Sequence, residues 1–163
     1  MKIAKTLEYT AAPDAVFAVL SDPAFQEAKC AATAAIRYTA NVESSGDRTV
    51  ITTERVLPSD GLPDFARNMV GDTLKVTETQ DWGPAGADGS RTGTVEMAVA
   101  GVPIALTGSL ALTAGGAGTV EQLDSELKAR VPLIGGKIEK AAAPPIEEAI
   151  VIEHQTAQEW LAR

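Results

Sequence analysis

Hydrophobic and polar residues alternate with a period of two in seven stretches of the chain. In residues 2–9, for example, Ile3, Leu7 and Tyr9 fall on one face, opposite polar residues. The other six stretches are residues 35–42, 48–57, 73–82, 91–99, 102–112 and 119–131. Such alternation is typical of strands that bury one face. Because short turns separate most of these stretches, we expect antiparallel pairing.

Three further stretches predict helices. Residues 13–20 and 23–32 form two short helices in tandem, with Asp22 as the N-cap of the second. The third helix is long, and it runs to the C-terminus after a tight turn at Gly135 and Gly136. This order of one strand, two short helices, six strands and a long helix predicts a single α+β domain over residues 1–163. The long helix is the element that can cover the apolar face of the sheet.

The long helix carries an apolar stripe that should face the sheet. The stripe contains Ile138, Ala142, Pro145, Ile146, Ala149, Ile152 and Glu153. Pro144 and Pro145 remove two backbone donors, which predicts a bend or unwinding near them. In one interpretation, the bend only follows the curvature of the sheet. In the other, the carbonyl groups near residues 140 and 141, which lose their hydrogen bonds to the prolines, line a cavity. The small side chains of residues 141–143 leave room for such a cavity.

Residues 59–73 interrupt the strands with a loop that contains a short amphipathic helix. Leu62, Phe65 and Met69 have helical spacing, and Val70 adds a further apolar side chain. Apolar residues in a connecting loop have two interpretations here. They cap the end of the core, or they close a ligand cavity as a mobile lid.

Charge and composition exclude several classes of partner. The formal net charge is −8, which argues against nucleic acid and against simple electrostatic docking on anionic membranes. No apolar run approaches about 18 residues, so we expect no integral membrane association. The N-terminus lacks the apolar core of a signal peptide. Together with Cys30 as the single cysteine, this predicts a cytoplasmic protein. The sequence carries no indication of an oligomeric state.

Candidate chemistry is sparse. His154 is the single histidine, and we interpret it as a partly exposed helix residue; Cys30 is interpreted as a buried structural thiol. No cofactor motif and no metal-ligand spacing is present, and the glycine clusters are interpreted as hairpin turns.

Glu78 shares a strand face with Val76 and Trp82, so it is expected to point inward and to be paired or protonated. Arg55 is the candidate partner.

Two groups of motifs support a family resemblance. Residues 132–139 (Pro-Leu-Ile-Gly-Gly-Lys-Ile-Glu), and residues 55–58 with Leu62-Pro63 and Trp82, resemble an actinobacterial family of unknown function. That family lies in the START-like superfamily, also called SRPBCC or helix-grip. The resemblance implies a strongly curved, seven-stranded antiparallel sheet wrapped around the long C-terminal helix. It also implies a deep cavity between the sheet and the helix.

The function that this resemblance implies is binding of a small hydrophobic molecule, lipid-like or polyketide-like. Two alternatives stay open: a polyketide cyclase-like enzyme, which needs at least two titratable groups in the cavity, and a protein–protein adaptor with an incidental cavity. No catalytic residue, metal or cofactor is assigned. The predicted ligand contacts come from the inward strand faces, the apolar loop and the helix stripe, and they are Tyr38, Leu62, Phe65, Met69, Trp82, Leu106, Ile138, Ala142, Pro145, Ile146 and Ala149.

Overall fold

The structure is a computed structural model that describes all residues from Met1 to Arg163. Seven strands and four helices follow one another in the predicted order. They are β1 (Lys2–Tyr9), α1 (Pro13–Leu20), α2 (Pro23–Ala32), β2 (Arg37–Ser45), β3 (Arg48–Pro58), α3 (Asp64–Val70), β4 (Thr73–Trp82), β5 (Arg91–Val99), β6 (Val102–Gly115), β7 (Gly118–Ala129) and α4 (Gly135–Leu161).

All seven strands form one antiparallel sheet with the order β1-β7-β6-β5-β4-β3-β2. Strands that follow each other in sequence are therefore neighbours from β2 to β7, and only β1 crosses to the far edge. Helices α1 and α2 carry the chain from β1 at one edge to β2 at the other. Asp22 caps α2 as predicted, because its carboxylate accepts a 2.8 Å hydrogen bond from the Ala24 amide. The predicted curved-sheet α+β fold is confirmed.

The packed part of the core lies at the end of the sheet that α1 and α2 cover. Phe17 of α1 meets the Trp82 ring edge to face at 5.8 Å, and Phe25 of α2 meets Trp160 of α4 at 5.7 Å. Aromatic pairs at these distances add to the apolar area that they bury. Both short helices are therefore fixed to the sheet and to α4 by large side chains.

Two local predictions need correction. Helix α4 runs without interruption through Pro144 and Pro145, so the helix does not unwind there. Two missing backbone hydrogen bonds are few in a helix of 27 residues. Strand β2 begins at Arg37 rather than at residue 35, because Ala34 adopts a left-handed conformation with φ of 61°. No helix is both long enough and apolar enough to cross a membrane.

Close packing of β6 on β7 generates a prediction. A Cβ atom added to Gly108 would lie 2.6 Å from the Ser125 side chain on the paired strand. We therefore expect Gly108→Ala to force these strands apart and to lower the free energy of unfolding by about 2–3 kcal/mol, measured by urea denaturation.

Gly61→Ala is the matched control, because a Cβ at Gly61 meets nothing within 4 Å and its backbone is not left-handed. It should change the free energy of unfolding by less than about 0.5 kcal/mol. Equal unfolding midpoints for the two variants would contradict the close approach of β6 and β7.

Candidate functional site

A cavity of about 500 Å³ lies between the sheet and α4. It is lined by 36 residues, of which 25 are hydrophobic. The small side chains of Ala141, Ala142 and Ala149 form part of its wall on α4. Space therefore remains where larger side chains would have closed the gap between helix and sheet.

The apolar end of the cavity is bordered by α3. Leu62, Ala66, Met69 and Val70 line it, yet no residue of α3 is buried. Helix α3 is connected to the start of α4 by Lys137, whose Nζ atom lies 4.2 Å from the centre of the Phe65 ring. Its sparse packing fits both interpretations of this loop, as a cap of the core or as a lid.

The other end of the cavity is polar and is organised around Lys29. This side chain is 2% exposed. Its Nζ atom lies 2.8 Å from Glu153 Oε2 on α4 and 3.1 Å from Glu78 Oε1 on β4. The ion pairs therefore connect α2, the sheet and α4 at one point. Ile138 and Glu153 are fifteen residues apart on α4, so the two ends of the cavity are separated by about 22 Å.

Arg55 is the second cation of the polar end, and it is 5% exposed. Its NH1 group donates to Thr33 at 3.2 Å, and its NH2 group lies 3.7 Å from Glu78 Oε2. The predicted inward orientation of Glu78 and its pairing with Arg55 are confirmed. The Nε–H group of Arg55 has no hydrogen-bond partner. An unpaired buried donor is costly, so the ion pair with Glu78 and the hydrogen bond to Thr33 hold Arg55 in place against this cost.

The charges of these ion pairs are stable over a wide pH range. Burial alone lowers the pKa of Lys29, but the carboxylates of Glu153 and Glu78 outweigh it and hold this pKa above its ordinary value. Burial likewise favours neutral Glu78, but Lys29 and Arg55 lower the pKa of Glu78 to about 2. Lys29 and Glu78 therefore remain charged at neutral pH.

Glu121 behaves differently, although it lines the same end of the cavity. Its Oε2 atom accepts a 2.8 Å hydrogen bond from the Tyr9 hydroxyl. Burial, reinforced by the nearby Glu153 carboxylate, raises the pKa of Glu121 to about 7. Burial also raises the pKa of Tyr9, so its hydroxyl remains a donor. Glu121 is therefore a carboxyl group of the cavity whose protonation changes near neutral pH.

His154 and Cys30 have the structural roles that the sequence suggested. His154 is half-buried, lines the cavity, and has its Nε2 atom 2.7 Å from the Glu8 carbonyl oxygen. Cys30 is fully buried, and burial raises the pKa of its thiol. No group of three or more histidine, cysteine, aspartate or glutamate side chains is arranged to hold a metal ion.

Eight of the eleven residues predicted as ligand contacts line the cavity: Leu62, Met69, Leu106, Ile138, Ala142, Pro145, Ile146 and Ala149. Tyr38 does not, because it lies on the edge strand β2 and is 40% exposed. Phe65 packs under Lys137 beside the cavity. Trp82 is fully buried in the aromatic core, and its Nε1 donates to Gln80 at 3.0 Å. As ligand contacts, the eight remain predictions.

Four charged residues of the cavity were not predicted as site residues, namely Lys29, Glu121, Glu148 and Glu153. The alternation in β7 places Glu121 on the same face as Leu123 and Leu127, and Glu153 lies in the apolar stripe of α4. Helical spacing from Phe25 places Lys29 on the buried face of α2. A charged residue at a position that the sequence pattern places on a buried face was therefore the signal that could have identified Lys29, Glu121 and Glu153.

Comparison with known proteins gives a family and a fold. Residues 5–161 match the family described as "Protein of unknown function (DUF2505)". An uncharacterized protein of Mycobacterium tuberculosis is 25% identical over 122 residues, which cover 73% of this chain and 70% of the relative.

Two solved structures illustrate the likeness in fold. The di-domain ARO/CYC StfQ from the steffimycin biosynthetic pathway superposes with a TM-score of 0.66 at 11% identity, over 99% of this chain and 50% of that one. A STAR-related lipid transfer protein from Xanthomonas axonopodis gives a TM-score of 0.58 at 12% identity, over 99% of this chain and 86% of that one. The START-like fold is thereby confirmed.

The raised pKa of Glu121 predicts a pH dependence of stability. Because its pKa in the folded protein exceeds the ordinary value of 4.5, the folded state binds this proton more tightly than the unfolded state. Its contribution is fully present below about pH 4.5 and is lost as the pH rises through about 7. Glu121→Gln should remove this loss, which amounts to about 3 kcal/mol between pH 5 and pH 8.

Urea denaturation at both pH values measures the effect. Glu159→Gln, which changes an exposed carboxylate on α4, is the control and should follow the wild-type dependence. If Glu121→Gln and the wild type lost the same stability over this range, Glu121 would not carry a raised pKa.

Replacing Lys29 tests the buried ion pairs. Lys29→Met leaves Glu78 and Glu153 without their shared cation, so we expect a loss of about 3–5 kcal/mol in the free energy of unfolding. Lys75→Met is the matched control, because Lys75 pairs with Glu54 at the surface, where both side chains are about half exposed. It should cost less than about 1 kcal/mol. Similar losses in the two variants would contradict the central role of Lys29.

Proposed function

The chain belongs to the DUF2505 family, whose function is unknown, and from that premise we propose that it binds a small hydrophobic molecule in the cavity under α4. The ligand is lipid-like or polyketide-like. The single observation that carries this proposal is the cavity itself, with about 500 Å³ of space and 25 hydrophobic residues among its 36 lining residues. Ligand sites in proteins have this size and this mainly apolar lining.

The polar end of the cavity favours a neutral oxygen function on the ligand. Lys29 and Arg55 are balanced there by Glu78 and Glu153, and Glu121 adds a third acidic side chain. A ligand carboxylate would be repelled by these acids. A hydroxyl or carbonyl oxygen can instead form hydrogen bonds with polar side chains that line this end, such as Gln80 and Glu121, without adding charge. The hydrocarbon part then lies along Ile138, Ala142 and the other apolar lining residues.

Two likenesses in fold support the presence of a ligand cavity. One structural neighbour is a STAR-related lipid transfer protein, and another is an ARO/CYC protein of a biosynthetic pathway. At 11–12% identity they support the architecture of a ligand cavity, and the class of ligand rests on the residues of this chain.

An enzyme of the cyclase type is the second candidate, favoured by one observation. Glu121, with a pKa of about 7, faces the same cavity as the permanently charged Lys29 and Arg55. A carboxyl group with this pKa can exchange a proton with a bound molecule, and the cations can stabilise developing negative charge. Recovery of a chemically changed ligand would support this candidate, whereas recovery of unchanged ligand supports binding alone.

Native mass spectrometry and thermal-shift assays with three matched probes test the proposal. Octadecanol, stearic acid and octadecane share a chain length and differ only in the head group. We expect octadecanol to bind more tightly than octadecane because of its oxygen, and more tightly than stearate because of its neutral charge. Tightest binding of stearate would contradict the neutral head group, and failure of all three would count against a lipid-like ligand.

A cavity-filling variant locates the site. Ala142→Phe adds a ring where Ala142 lines the cavity, so it should lower octadecanol affinity at least tenfold. Val151→Phe places the same ring on α4 at a residue that is 40% exposed and outside the cavity lining. It should bind like the wild type. Equal affinities of both variants would show that the probe binds elsewhere.

A further inference from the structure

The turn that joins β7 to α4, residues 130–134, exposes two large aliphatic side chains. Leu133 is 104% exposed and Ile134 is 39% exposed. Leu133 also has a φ of 70°, in the left-handed region that favours glycine. Folding alone would be served better by glycine at this position. An exposed leucine in an unfavourable backbone conformation therefore points to a role outside the fold.

The turn holds these side chains outward because its backbone is fixed. The Gly135 amide donates to the Val131 carbonyl at 3.0 Å, and the Ile134 amide donates to the Pro132 carbonyl at 2.9 Å. A Cβ atom on Gly135 would lie 2.6 Å from the Ala129 carbonyl oxygen, so the backbone of the turn packs closely on the end of β7. Leu133 and Ile134 thus form a preformed apolar tip.

Positive charge surrounds the tip, although the chain as a whole carries −8. Lys128, Arg130, Lys137 and Lys140 are all exposed, and none forms an ion pair. The one acidic residue in this segment, Glu139, is buried and lies 3.9 Å from the N-terminal ammonium group. Between Lys128 and Lys140, all of the exposed charged residues are therefore positive, although Asp64 of the neighbouring α3 is an exposed acid.

The tip also borders the apolar end of the cavity. Ile138, whose amide donates to the Ile134 carbonyl, lines the cavity one helical turn after the tip. Lys137 contacts Phe65 of α3, and Met69 of the same helix lines the cavity while remaining 37% exposed. A surface that covers the tip would therefore lie next to α3 and the apolar cavity wall.

We propose that the β7–α4 turn docks on a lipid bilayer that contains anionic lipids. Leu133 and Ile134 enter the boundary between head groups and acyl chains, and the four cations contact the anionic head groups. A protein partner fits less well, because protein interfaces are poor in lysine and stable ones cover about 800 Å² on each side. This docking goes beyond the proposed ligand binding and does not require an occupied cavity.

Vesicle sedimentation with the full chain tests the proposal, using phosphatidylcholine vesicles with and without phosphatidylglycerol. We expect the wild type to bind the mixed vesicles and to bind more weakly as salt rises. Leu133→Gly should lower the partition coefficient roughly tenfold or more, because it removes the inserting side chain. Arg130→Glu combined with Lys140→Glu should lower binding to mixed vesicles by a similar factor.

Leu133→Gly is also its own folding control, since glycine accepts the φ of this position and the variant should melt no lower than the wild type. Val151→Asn replaces an aliphatic side chain of similar exposure to Ile134 on α4, far from the tip, and should bind vesicles like the wild type. Absence of vesicle binding, or unchanged binding by Leu133→Gly, would overturn the proposal. A concentration-dependent dimer that Leu133→Gly abolishes would overturn it as well, in favour of a second copy at the tip.

Discussion

The arrangement of the cavity depends on one buried amine. Lys29 reaches Glu153 at 2.8 Å and Glu78 at 3.1 Å, and so joins α2, the sheet and α4. Removing three charges from water is expensive, and the ion pairs recover the cost only if every partner is present. Because Glu78 and Glu153 each keep 17% of their side-chain surface exposed, they face the cavity rather than packed side chains. The polar end of the cavity is therefore lined by charged groups that are paired with one another and partly exposed to the open space.

That open space follows from the distribution of side-chain size. At the end covered by α1 and α2, aromatic rings such as Phe25, Trp82 and Trp160 fill the gap between helix and sheet. Along the first half of α4, alanines face the sheet instead. A curved sheet cannot approach the helix closely over its whole length, so small side chains leave a cavity where large ones would have closed it. The same distribution of large and small side chains along the chain therefore determines both where the core packs and where the cavity lies.

The fold could be predicted from the sequence because each element carries its own period. Alternation marked all seven strands, and all seven residues of the α4 stripe line the cavity, among them the five that were predicted as ligand contacts. The ion pairs were harder to predict, since Lys29 and Glu78 are 49 residues apart and their proximity depends on how α2 crosses the sheet. Tyr38 was predicted as a ligand contact and does not line the cavity. The alternation of β2 placed it on the correct face of the sheet, but β2 is an edge strand and leaves Tyr38 40% exposed.

The pairing of β1 with β7 has a consequence for folding of the protein during its synthesis on the ribosome. Lys2 is paired with Glu126, and Tyr9 with Thr119, so the first strand has no partner until the last one has been made. At a synthesis rate of about 5–20 residues per second, β1 waits roughly 5–25 s. During this time β2 to β6 can pair with their neighbours in sequence, while an apolar strand remains unpaired. The nascent chain thus depends on rapid release, or on a chaperone, to protect β1 from aggregation.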